Sequence, residues 1–129
     1  MNYLSLADIM ALRYQLTQGN PNSVGVREMA SLTAAVESPQ RVVFGQEIFG
    51  SLVEKAAALF HDLIEFHPFW DGNKRIASGA LRLFLQRNGA HLTVDDQALR
   101  GYAREIARGA LSREDVTAWL AQWIAHDGV

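Results

Sequence analysis

The sequence predicts an all-α fold, and three observations carry that expectation. Apolar residues recur at helical spacing along most of the chain, from Leu6 to Leu16, from Leu52 to Ile64 and from Ile76 to Leu85. Stop signals follow these runs: Gly19-Asn20-Pro21-Asn22 after the first, Pro68 after the second, Asn88-Gly89 after the third. A single stretch, within residues 41–50, has the β-branched and aromatic composition of extended chain. The expectation is a compact single-domain bundle of about six helices over residues 1–129, with a short β-hairpin or flap near 41–50.

The elements follow in order. Ser5 with Asp8 three residues on is a capping signal, the Asp standing in for the usual Glu, and Leu6, Ile9, Met10 and Leu16 then give the first stripe. Val26, Met29, Leu32 and Val36 mark a second short helix that closes before Pro39. In "QRVVFGQEIFG", Val42, Val43 and Phe44 favour extended structure, while Gly45 and Gly50 supply hinges or turns. From Leu52 the helical period returns. Leu52, Val53, Ala56, Ala57, Leu59, Phe60, Leu63 and Ile64 cover more than half the circumference, so this helix is expected to be central and mostly buried. Pro68 ends it, because the residue before a proline avoids the helical region. A second central helix starts near Asn73 and carries Ile76, Ala77, Ala80, Leu81, Phe84 and Leu85. His91 to Val94 reads as a short extended piece, with Asp95 or Asp96 capping the next helix. Ser112 opens the last helix, whose apolar face is read as Val116, Trp119, Leu120, Trp123 and Ile124, both tryptophans in the core.

Composition narrows the function classes. A net charge of -2 and a pI of about 6.0 offer no general electrostatic case for nucleic acid. With no cysteine, thiolate, disulfide and Cys-ligated metal chemistry are excluded, which is compatible with a reducing cytosol. The stretch from Leu52 to Phe66 is interrupted by Glu54, Lys55, His61, Asp62 and Glu65, so it does not read as a membrane span. No basic segment followed by an apolar one opens the chain. A soluble, cytoplasmic protein is expected.

The chemistry concentrates in "EFHPFWDGNKR", residues 65–75, between the two central helices. A helix N-terminus exposes unpaired backbone N–H groups and a partial positive charge, which suits phosphate. Gly72 can adopt positive φ and aim successive N–H groups at one anion. Lys74 and Arg75 add cations just inside that helix, against the dipole rule unless an anion answers them. Asp71 is a hard oxygen donor of the kind that holds Mg²⁺ together with substrate phosphates. His67 is placed to take a proton from a hydroxyl nucleophile. Phe69 is expected to point into the core and pin the loop, and Asn73 to cap the helix or donate to a phosphate or to the loop. Each residue taken alone has a bland reading as a turn, cap or solvated side chain. Their joint order points instead to phosphoryl or nucleotidyl transfer.

His67-Pro68-Phe69-Trp70-Asp71-Gly72-Asn73-Lys74-Arg75 resembles the signature loop of the Fic/Doc superfamily, H-P-F-x-[D/E]-[G/A]-N-[G/K]-R, at every specified position. "SLADIMALR", "ESPQRVVFGQEIF" and "EKAAALFHDLIEFHPF" resemble its Doc (death-on-curing) toxin branch in particular. The resemblance implies an all-helical fold with the motif between two central helices. It implies His67 as general base, Asp71 on Mg²⁺, Gly72 and Asn73 shaping the phosphate nest, and Arg75 on the phosphates of ATP. The family's flap, which holds the target segment extended, would fall within 41–50. Relatives that transfer AMP usually carry Gly where this chain has Lys74, and a second Arg where it has Ser78. Both differences resemble Doc, which implies phosphate transfer to a translation factor such as elongation factor Tu, with an antitoxin protein in trans as a partner. Gly72 departs from Doc, where Ala stands.

Three other readings remain beside this one. The same residues would serve AMP transfer to a protein hydroxyl. A non-catalytic protein-binding module would be expected to have a broken motif. A metal-dependent phosphohydrolase is suggested by His61, Asp62, Glu65 and His67, but the residues before His61 supply no further His. Thr33 to Glu37 partly matches the inhibitory helix of some relatives. The Arg that would receive Glu37 is missing, and helix-end packing is the plainer reading.

Overall fold

A computed structural model describes residues 1–17 and 25–128, so the stop expected at Gly19 to Asn22 lies outside the described residues. Among the described residues the helices are α1 (Leu6–Thr17), α2 (Met29–Glu37), α3 (Leu52–Glu65), α4 (Asn73–Arg87), α5 (Asp96–Ala107) and α6 (Arg113–Ala121), with a 3-10 turn at Ser38–Gln40. Two antiparallel ribbons complete the fold: β1 (Val42–Val43) with β2 (Gln46–Glu47), and β3 (Ala90–Leu92) with β4 (Ile124–His126). The fold is mostly helical, as expected. None of the described helices is long and apolar enough to cross a membrane.

Local chemistry explains where most helices start. Ser5 and Asp8 bond reciprocally, the Ser5 N–H donating to Asp8 Oδ2 at 2.8 Å and the Asp8 N–H to Ser5 Oγ at 3.1 Å. Ser51 caps α3 by accepting from the Glu54 N–H, Asp95 caps α5 from Ala98, and Ser112 with Asp115 forms a full capping box on α6. The core draws on every helix, including Ile9, Leu32, Phe60, Leu81, Phe84, Leu99 and Leu120. Helix α3 lies at its centre, since every residue from Lys55 to Ile64 is buried. It packs against α4, α6, α2, α5 and the 3-10 turn.

Three expectations are corrected. Val26 is not helical: Glu28 is the N-cap of α2, and Val26 forms an isolated antiparallel bridge with Phe69. A β-branched residue at helical spacing from Met29 misleads when a backbone ladder competes for it. Ile124 does not extend α6 either. The helix stops at Ala121 and the chain turns back, so that Ile124 pairs with Leu92 and Thr93 N–H reaches the Trp123 carbonyl at 2.7 Å. Trp119 and Trp123 are half-buried rather than fully in the core, and Trp119 stacks on Tyr102 with ring centroids 3.9 Å apart.

The hairpin between α2 and α3 turns through Phe44 (φ 51) and Gly45 (φ 77), the double positive-φ pattern of a tight hairpin turn. Phe44 is 99% exposed at its tip, with Val42, Val43 and Ile48 also exposed. The root of this ribbon is held by a buried cation. Lys55 Nζ donates to the Pro39 carbonyl and to Glu47 Oε1, both at 3.2 Å, and lies 5.5 Å from the Tyr3 ring centre. Burial disfavours the Lys55 charge, but bonding to Tyr3 and Glu47 outweighs it and raises the ammonium pKa above its usual range.

Candidate active site

The loop between α3 and α4 begins with a broken backbone rule. Phe66 is the C-cap of α3, and the next residue, His67, has φ 51. Helices often end with a left-handed residue there, usually Gly, because a Cβ makes that conformation unfavourable by roughly 1–2 kcal/mol. A histidine in a position that favours glycine persists only where surrounding contacts hold it there. Its imidazole is exposed at the end of the helix.

A second segment holds this strained turn. Residues 25–28 run antiparallel to the loop: Arg27 N–H donates to the Pro68 carbonyl at 2.7 Å, Glu28 N–H to the same oxygen at 3.2 Å, and Trp70 N–H to the Gly25 carbonyl at 3.5 Å. The Arg27 guanidinium donates from Nε to the His67 carbonyl at 2.7 Å and from Nη2 to the Phe66 carbonyl at 3.2 Å. It thus satisfies carbonyls that the end of α3 leaves open and places a cation at the negative pole of the helix.

Phe69 and Asn73 fix the loop from inside. Phe69 is wholly buried, with the Arg13 guanidinium 5.7 Å from its ring centre. Asn73, 7% exposed, accepts from the Phe69 N–H at 2.9 Å and donates from Nδ2 to the Phe69 carbonyl at 2.8 Å. Those two bonds set the orientation of the amide, so the Nδ2 that also lies 3.1 Å from His67 Nδ1 acts as a donor to it. The neutral ring then carries its proton on Nε2 and its lone pair on Nδ1. Of the roles expected for Asn73, its side chain takes the one within the loop.

Around Gly72 the chain presents groups whose chemistry suits an anion. Gly72 has φ 81, and a Cβ there would meet only Ile76 Cδ1 at 3.9 Å, so the dihedral rather than space asks for glycine. Gly72 caps α4 without a side chain, leaving the first-turn N–H groups free of a capping acceptor. Lys74 and Arg75 are exposed and make no ion pair or side-chain hydrogen bond among the described residues. Asp71 Oδ1 accepts from the Gly72 N–H at 2.8 Å, and its carboxylate is exposed. Mg²⁺ needs few protein ligands when phosphates supply the rest, so this single hard carboxylate beside an N-terminal cradle fits a Mg²⁺-nucleotide. Trp70, 57% exposed, adds an aromatic surface between the imidazole and the cradle in sequence.

The third reading from the sequence meets a different arrangement. His61, Asp62 and Glu65 bring ligand atoms within 4.8 Å of one another. Asp62, however, is wholly buried and already accepts from Ser38 Oγ at 2.5 Å, Arg113 Nε at 2.9 Å and Arg113 Nη2 at 3.0 Å, with His61 Nδ1 at 2.9 Å. His61 Nε2 lies 3.0 Å from Glu65 Oε2 and 3.2 Å from the Leu111 carbonyl. With acceptors at both nitrogens, the ring is arranged as a charged double donor. Burial disfavours that charge, but Asp62 and Glu65 prevail and raise the His61 pKa above 6.5. Burial likewise opposes the Asp62 carboxylate, while its bonds to His61, Arg113 and Ser38 lower its pKa. The cluster is an ionic tie between α3, α6 and the 3-10 turn, with Arg113 where a cation would sit.

Sequence reasoning singled out His67, Phe69, Asp71, Gly72, Asn73, Lys74 and Arg75, and the structure places the first four on this loop and the last three in the first turn of α4. It missed Arg27, whose bonds to the loop span 40 residues of chain and leave no local signal. It also missed Arg113 as the counter-charge of Asp62, across 51 residues.

Comparison with known proteins agrees with this architecture. Residues 3–85, from the segment before α1 to within α4, match the model of the Fic/DOC family. The chain is 37% identical to Toxin Doc of Mycolicibacterium smegmatis (strain ATCC 700084 / mc(2)155) over 102 residues, covering 78% of each chain. The loop geometry and the extent of the match lead to one conclusion: the chain belongs to the Fic/DOC family.

Proposed function

We propose that this chain is a Doc-like toxin of a toxin–antitoxin system, which transfers phosphate from Mg·ATP to a hydroxyl of a translation factor of the elongation factor Tu kind. The observation that carries the reading is the contact of His67 Nδ1 with Asn73 Nδ2 at 3.1 Å. It sets a proton acceptor directly against the first residue of α4, where the N–H cradle, Lys74 and Arg75 begin. The target hydroxyl takes the place of the Asn73 amide at His67 Nδ1, the one nitrogen with a lone pair, and gives its proton to that atom as its oxygen forms a bond to the transferred phosphorus. The bond from that phosphorus to the leaving phosphate oxygen breaks, and ADP departs. Asp71 would hold Mg²⁺, which neutralises charge on the phosphates when bound. The backbone N–H groups after Gly72, with Lys74 and Arg75, bind and orient the phosphates.

Lys74 favours phosphate over AMP as the moiety transferred, because it fills space that glycine leaves open in AMP-transferring relatives. The similarity to Toxin Doc supports the assignment as a toxin with an antitoxin protein as its partner in trans, acting in the cytoplasm. The test incubates wild type and His67→Ala with Mg²⁺, elongation factor Tu and ATP labelled at either the γ- or the α-phosphate. Transfer of γ label by the wild type alone is expected. Transfer of α label would replace this reading with AMP transfer. Movement of neither label, on the purified factor or in whole lysate, would leave a non-catalytic protein-binding module.

A further inference from the structure

We propose that Arg27 is a positioning residue for His67, holding the strained end of α3 so that the imidazole stays seated on Asn73; the catalytic half of this inference rests on the function proposed above. Left-handed backbone at a non-glycine residue persists only where surrounding contacts over-determine it. At His67 those contacts come from Arg27. Its Nε donates to the His67 carbonyl at 2.7 Å, its Nη2 to the Phe66 carbonyl at 3.2 Å, and its own N–H to the Pro68 carbonyl at 2.7 Å. Three consecutive carbonyls of the turn are therefore tied to one residue. The ring is held separately, by Asn73. Backbone and ring are gripped from two sides, the backbone chiefly by Arg27 and the ring by Asn73.

The geometry demands arginine. A planar fork reaches two successive carbonyls from one side chain, whereas an ammonium supplies the charge without the paired direction. Because the guanidinium bonds to main chain, it leaves the imidazole and the cradle of α4 unobstructed. Loss of Arg27 therefore leaves the nucleotide cradle in place and releases the placement of His67. The effect should fall on the rate of transfer rather than on nucleotide binding.

The test uses the full chain with Arg27→Gln, which keeps a donor but loses the charge and the fork, and Arg27→Lys, which keeps the charge. Two readouts are taken. In the transfer assay, kcat of Arg27→Gln should fall about ten- to a hundred-fold, the loss that a displacement of about 1 Å produces, with KM for ATP within about two-fold and partial recovery in Arg27→Lys. The second is the long-range ¹H–¹⁵N imidazole spectrum at pH 8, with the His67 signals identified from His67→Gln. Wild type should show a protonated Nε2 and an unprotonated Nδ1, and Arg27→Gln should move toward the averaged pattern of a free histidine. If the wild type transfers no label, the function proposed above fails, and the spectrum alone decides the role of Arg27. Unchanged His67 signals with kcat within two-fold of wild type would overturn the proposal. Global loss of folding in both variants would also overturn it, because Arg27 would then hold the domain rather than the histidine.

Discussion

Replacing Arg113 by Leu should destabilise the fold by about 2–3 kcal/mol, although Arg113 is far from the loop in sequence. Asp62 is wholly buried, and Arg113 supplies two of its hydrogen bonds, at 2.9 and 3.0 Å. Removing one partner of a buried ion pair typically costs about 3–5 kcal/mol, because the other charge is left without compensation. Two features reduce that figure here. The Arg113 side chain is 32% exposed, so water takes over part of its role, and His61 remains at 2.9 Å as a counter-charge. With an unfolding entropy of about 2.1 cal/mol/K per residue, roughly 0.27 kcal/mol/K for the chain, the loss corresponds to a fall in Tm of about 7–11 °C. Calorimetry or far-UV circular dichroism at pH 7 reads it directly. The double variant Asp62→Leu/Arg113→Leu removes both charges and should lose clearly less than the sum of the two singles, by about 1–3 kcal/mol. A fall of less than about 3 °C in the single variant, or strict additivity in the double, would show that the pair is not a buried electrostatic unit.

Two further predictions concern α3 and the turn that ends it. His67→Gly should raise Tm by about 2–4 °C while abolishing transfer, since glycine relieves the left-handed strain at a modest loss from the Asn73 contact; a lower Tm would mean that φ 51 is not a strained state here. The advantage of wild type over His61→Gln should depend on pH. The folded His61 pKa is raised above its ordinary 6.5, so its stabilisation is fully present below pH 6.5 and is lost as pH rises through the folded value. Melting curves from pH 5.5 to 9 check this, and a gap that widens with pH would reverse the sign of the argument.

Much of this protein was legible in the sequence because its signals are local. Ser5 with Asp8, Asp95 or Asp96, and Ser112 announce helix starts within a single turn, and Ser5, Asp95 and Ser112 make those bonds. Val42-Val43 followed by Gly45 marked a hairpin for the same reason, although Phe44, read as extended, sits in its turn at φ 51. The loop from His67 to Arg75 could be read because its chemistry lies in one contiguous stretch. What escaped was set by partners distant along the chain. Ile124 left the helical pattern because β3 offered it a ladder beside Leu92, and Val26 because Phe69 did. The sharing of Asp62 between Ser38, His61 and Arg113 depends on how three elements converge, which no periodicity records.

The tie between Asp62 and Arg113 also separates two ideas of where this molecule ends. The family match stops at residue 85, within α4, as if α5 and α6 were an appendix. Yet the Asp62 carboxylate, in the last turn of the central helix, is neutralised from α6, and the strand that follows α4 finds its partner at Ile124–His126. A chain cut at residue 85 would leave the buried Asp62 carboxylate without Arg113 and would strip Leu99, Ile106, Val116 and Leu120 from the core. The span by which relatives are recognised and the span that can stand as a folded object are therefore different lengths of the same chain. Minimal versions of such enzymes are better bounded by where the charges of the core are answered than by where similarity fades.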